Sequence, residues 1–202
     1  MPKKPPAPNR PPRTQEQKIE ALGHFAYEVW MTAEALAALK VDREPLDRAS
    51  ANAFIESGII HARNLTEFLL CKSRREDSLV PEDFTPSWVP GPASAVQRLR
   101  SNYRAMHAYV AHLSWERVDR TLGRPQVIEI LEATLDVAFT WRDHLGTAAS
   151  DLRLSSPFAE TMYRSDQIRN GVPNITGVVS TTTTSTISSW RIGQLRSSKD
   201  DA

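Results

Sequence analysis

Residues 94–120 read SAVQRLRSNYRAMHAYVAHLSWERVDR. Within them Val96, Leu99, Tyr103, Met106, Val110 and Leu113 recur at steps of three, four, three, four and three residues. That alternation lines one stripe of an α-helix with apolar side chains and predicts a seam against other helices. Ser94 is the candidate N-cap, and the LGRP at 122–125 ends this unit or bends away from it. Downstream, Pro125 suits the first turn of a further helix over about 125–145. There Val127, Leu131, Leu135, Ala138 and Leu145 face inward, Phe139 and Trp141 add bulk, and Gly146 is a stop signal.

Upstream, residues 74–92 read RREDSLVPEDFTPSWVPGP, with four prolines and no sustained period. A connection of this length is unusual in a compact domain. Two readings fit it: a crossing pinned by Leu79, Phe84 and Trp88, or a wall beside a pocket. Before it, Ala51, Phe54, Ile55, Gly58, Ile59, Ala62, Leu65 and Leu69 mark a helix over 48–72, capped by Asp47 after the break at Pro45. Glycine costs about 1 kcal/mol relative to alanine inside a helix, so Gly58 predicts close packing on a neighbour. Residues 15–40 form the first helix, through Ile19, Leu22, Ala26, Val29, Ala33 and Leu36, widened by Phe25 and Trp30. Thr14 and Gln17 have the capping-box spacing. The expected fold is all-α: a four- to five-helix bundle over 14–150, a long loop between helices 2 and 3, and poorly structured tails.

The tails differ from the body in composition. Residues 1–13, MPKKPPAPNRPPR, carry four basic residues, no acid and a proline-rich pattern, which reads as a disordered or polyproline II arm. Residues 14–150 hold 15 basic and 19 acidic residues, so the formal charge of +1 is partly a cancellation. An acidic body argues against a broad duplex-DNA surface and leaves room for a small RNA site. Residues 151–202 read as a C-terminal extension with a short helix near 157–168. Ten of the fifteen residues at 176–190 are Ser or Thr, a composition without core-forming side chains. The single cysteine, Cys71, permits no internal disulfide and reads as structural at a helix end. No run approaches a membrane span and no apolar signal region is visible, so a cytoplasmic protein is expected.

The chemistry sits in two stretches. In FIESGIIHARNLTEFLL, residues 54–70, His61 and Asn64 flank the Leu65 stripe, and Arg63 can pair with Glu67 four residues on. In residues 106–120, His112 lies four residues before Glu116, and Arg117 continues the Val110–Leu113 stripe. If the second and third helices pack together, His61, Arg63, Asn64, His112 and Arg117 form a candidate catalytic cluster. Histidine would move protons, arginine would neutralise phosphate charge, and asparagine would orient a 2′-hydroxyl. The alternative is a satisfied polar network that fixes helix register. No HExxH, Walker A, GxGxxG or GxSxG motif occurs. A carboxylate–histidine metal site from Glu56, His61 and His112 is a minor alternative; otherwise neither metal nor cofactor is expected.

The passages ESGIIHARNLTEFLL and YVAHLSWERVDR resemble a group of bacterial helical proteins in which an H-x-R-N-L helix precedes an A-H-L-[ST]-x-x-R helix, over roughly residues 47–145. A more distant resemblance is to the HEPN superfamily of four- to five-helix domains. That resemblance implies a dimeric, metal-independent ribonuclease of toxin–antitoxin or phage-defence systems, with an R-x(4–6)-H motif at the shared face. In the R-N-x-x-x-H form of that motif, Arg63 and Asn64 would need histidine at position 68, which is Phe68. Arg100 and His107 fit the looser spacing. Three functions are therefore expected, in order: a self-associating interaction or structural domain, a HEPN-like ribonuclease or inactive relative, and a small-molecule or metal-binding bundle.

Overall fold

A computed structural model describes residues 12–41, 47–71, 78–85, 87–111, 122–148 and 156–171. Among them are five α-helices and no strand: α1 (Gln15–Lys40), α2 (Arg48–Leu70), α3 (Ala93–Ala111), α4 (Arg124–Ala148) and α5 (Ser156–Arg169). A 3-10 turn, Pro81–Asp83, lies in the connection between α2 and α3. The all-α bundle with a long connection after the second helix is thus the observed architecture. His112 and Arg117, the expected continuation of the third helix to residue 120, and the Ser/Thr-rich segment fall outside the described residues.

The helix starts follow local chemistry. Thr14 Oγ1 accepts from the Gln17 amide at 3.3 Å, and Gln17 Oε1 accepts from the Thr14 amide at 3.0 Å. Each side chain thereby satisfies a backbone donor that the first turn leaves open. Asp47 Oδ1 accepts from the amides of Ala49 and Ser50 at 2.9 and 3.0 Å. α3 departs from the expected cap. The Val96 amide donates to the Pro92 carbonyl at 3.0 Å, so the first turn closes on Pro92 and Ser94 lies inside the helix. Gly146 likewise does not end α4, which runs on to Ala148. One glycine weakens a helix without breaking one that is anchored by buried neighbours.

Two helix ends are closed by side chains from distant elements. Arg124 donates through Nε and Nη2 to the Leu39 carbonyl at 2.9 and 2.5 Å, which ties the start of α4 to the end of α1. Trp88 Nε1 donates to the Leu69 carbonyl at 3.2 Å, which pins the connection to the end of α2. These three bonds go to two carbonyls that have no partner inside their own helix.

α1 packs against α2, α4 and α5, while α3 packs against α2 and α4. Its packed face runs through Leu22, Phe25, Val29, Thr32, Leu36 and Leu39. Two residues expected in that core lie outside it: Ile19 is 40% exposed and Trp30 37%. Trp30 sits at the rim of the packed face, where its indole N–H donates to Glu34 Oε1 at 3.0 Å. Phe54 is also exposed, so the packed stripe of α2 begins one residue later at Ile55. In α3 Val96, Leu99 and Met106 are buried and Tyr103 is half-buried. In α4 all five expected inward residues are buried. Buried hydroxyls turn back on their own helices: Thr32, Thr66, Thr134 and Ser165 each donate to the carbonyl four residues earlier.

α5 completes the packing. Phe158, Met162 and Ile168 join the same core. Arg169 pairs with Asp136 of α4, and its guanidinium lies over the Phe139 ring at 5.3 Å. No helix among the described residues is long and apolar enough to cross a membrane.

Candidate ligand cavity

His61 and Asn64 are three residues apart on α2 and share its face toward α1, with Arg63 between them in sequence. The partner that His61 and Asn64 require is Glu28 of α1. Its Oε2 lies 2.7 Å from His61 Nδ1 and accepts from Asn64 Nδ2 at 3.2 Å. Tyr27 packs edge-on to the His61 ring at 5.7 Å. A half-buried carboxylate is stabilised when donors converge on it, and these two bonds come from adjacent turns of one helix.

The polar string continues through Arg63. Its Nη2 donates to Asn64 Oδ1 at 3.3 Å, and its Nε lies 3.7 Å from Glu67 Oε1. The expected i, i+4 pair is therefore present, though the Nε finds no hydrogen-bond partner among the described residues. Glu67 Oε1 also lies 2.9 Å from His107 Nε2 on α3, and His107 stacks edge-on to Tyr103 at 4.6 Å. Three of the five expected site residues thus belong to one string that runs from α1 across α2 to α3. The other two, His112 and Arg117, lie outside the described residues. The α3 histidine that meets this string is His107.

Beside the string is a cavity of about 510 Å³. Phe25, Phe68 and Phe84 form an aromatic floor, with Leu65 and Leu79 adding apolar surface. Trp141 lies behind the floor, with ring centroids 4.5 Å from Phe25, 4.9 Å from Phe68 and 5.7 Å from Phe84. Polar groups enter from three helices: His24 and Glu28 from α1, Asn64 and Glu67 from α2, and Tyr103 from α3, with Cys71 at the end of α2. Ser78 and Leu79 of the connection complete the lining. Of the three residues expected to pin the connection, Phe84 is buried and Trp88 is bonded to α2, whereas Leu79 is exposed and lines the cavity.

Tyr103 has the most perturbed environment in the cavity. Burial raises its phenol above the ordinary value near 10.0, and contacts with Cys71 and then Glu67 raise it further. The fold thus favours the neutral phenol. Above about pH 10 the unfolded chain loses this proton first, so the contribution of Tyr103 to stability declines as pH rises. In a spectrophotometric titration, Tyr103 is expected to ionise above the ordinary tyrosine range. Tyr103→Phe should remove the latest phase. Removal of an early phase instead would contradict this environment.

Among the described residues no three His, Cys, Asp or Glu side chains form a metal-binding group. Glu28 was absent from the sequence expectation. Its signal was its place three residues after Phe25, which puts a carboxylate on the aromatic side of α1. No protein-family model, curated protein or solved structure matches the chain.

Proposed function

We propose that this protein is a helical binding domain that holds a small molecule in the cavity between α1, α2, α3 and the connection. The observation that carries this reading is the cavity itself: about 510 Å³, an aromatic floor, and polar groups converging from three helices. Ligand sites typically have this size range and combine an apolar lining with a few placed polar groups. The His61–Glu28–Asn64 contacts serve the site by holding Glu28 in position. In the ribonuclease reading Arg63 or Arg117 meets phosphate; the Arg63 guanidinium is engaged with Asn64 and Glu67, and Arg117 lies outside the described residues.

The test is saturation-transfer NMR with 2-phenylethanol, an uncharged aromatic probe. Ala21 lines the cavity, so Ala21→Phe fills part of it. Wild type is expected to bind the probe, and the filled variant to bind it at least about tenfold more weakly. Circular dichroism checks that the variant is folded. Equal binding by the two proteins would place the probe elsewhere and overturn this reading.

A further inference from the structure

The lining of the cavity also specifies the charge of its occupant. Among the described lining residues two are carboxylates, Glu28 and Glu67, and none is lysine or arginine. The one arginine in the adjoining string, Arg63, lies 3.7 Å from Glu67 Oε1 and is joined to Glu28 only through Asn64. Two carboxylates against one guanidinium leave an excess of formal negative charge on that side, where His61 meets Glu28 and His107 meets Glu67. The opposite feature is the ring surface of Phe25, Phe68 and Phe84. An aromatic face attracts a cation through its quadrupole, and a nearby carboxylate attracts the same cation by charge. An anion would meet two carboxylates, and an uncharged ligand would gain only from the apolar floor.

We propose that the cavity selects a small organic monocation, an amine with an apolar body, seated with its ammonium toward Glu28 and Glu67 and its body on the phenylalanine floor. This rests on the cavity being a ligand site and adds the chemical class of the ligand. The size of the cavity fits a molecule of one ring and a short chain.

The experiment compares three probes of similar shape on the full chain by NMR titration at neutral pH: 2-phenylethylammonium, 2-phenylethanol and 3-phenylpropanoate. The cation is expected to bind about tenfold more tightly than the alcohol, and the carboxylate most weakly. Glu67→Gln and Glu28→Gln keep side-chain volume and remove charge. Each is expected to weaken the cation's binding more than the alcohol's, which reduces the preference for the cation. Thermal unfolding of each variant establishes that it is folded, and the three-probe series on wild type does not depend on either. Equal binding of cation and alcohol overturns the charge selection while leaving the cavity reading intact. A preference for the carboxylate also overturns it. Failure of all three probes overturns the cavity reading and this inference together.

Discussion

Trp141→Ala is expected to cost about 3–5 kcal/mol of folding stability, measured by urea denaturation. Trp141 is fully buried in α4. Its ring meets Phe25 of α1, Phe68 of α2 and Phe84 of the connection, so it joins three separate segments. Truncation removes the largest apolar surface in the cluster and leaves a void that helices anchored elsewhere cannot close. The cavity floor then loses its backing, so 2-phenylethanol binding is expected to weaken with the stability. Trp141→Phe separates packing from polarity. The indole N–H is buried and has no hydrogen-bond partner among the described residues. Phenylalanine removes that unsatisfied donor, which relieves about 1–3 kcal/mol and offsets part of the lost volume. The phenylalanine variant should therefore be much closer to wild type than the alanine variant. A loss below about 1 kcal/mol for Trp141→Ala would show that the cluster contributes little to holding the segments together.

The difference between α4 and α1 explains what periodicity could reveal. In α4, Val127, Leu131, Leu135, Ala138 and Leu145 follow the helical period and all are buried. α1 instead packs against three helices, and a single stripe does not describe its face. Of the expected stripe only Ile19, at the helix start, is exposed; Leu22, Ala26, Val29, Ala33 and Leu36 are buried, and Phe25, Thr32 and Leu39 widen the packed face beyond it. α5 was the faintest helix in the sequence because only short-spaced Phe158 and Met162, with Ile168 farther on, reach the core. Caps read well where an oxygen-bearing side chain had a defined amide to meet, as at Thr14 and Asp47. Ends closed from far away, by Arg124 and Trp88, leave no local pattern.

The site was legible as a need and not as a solution. His61 and Asn64 at the edge of an apolar stripe had to find a polar partner. The partner lies 33 residues from His61 and 36 from Asn64, and only the antiparallel approach of α1 and α2 brings it there. Local pairing was easier to see: Arg63 and Glu67 are one turn apart on α2. The pairing of Glu67 with His107 depends on the register between α2 and α3, which two separate helical patterns do not specify.

Gly58→Leu is expected to destabilise the bundle by about 3 kcal/mol or more, at the upper end for overpacking a core. Gly58 is buried in α2, where α1 and α4 converge on it. A Cβ at this position would lie 3.0 Å from Leu131 Cδ1 and 3.1 Å from Ala35 Cβ. The leucine methyl can turn aside, whereas Ala35 Cβ moves only with the α1 backbone. Gly58→Ala therefore sets a helix-propensity gain of about 1 kcal/mol against a contact that requires α1 to shift. Its expected result is a small net loss, and Gly58→Leu extends the same conflict by three further carbons. Leu131→Ala tests the geometry directly, because it empties the space that the new side chain would need. Combined with Gly58→Leu, it should destabilise less than the two single losses together, with a coupling of about 1–3 kcal/mol in a double-mutant cycle by urea denaturation. Strict additivity would mean that the two positions do not share this space, and that the glycine is retained for some reason other than the close approach of the helices.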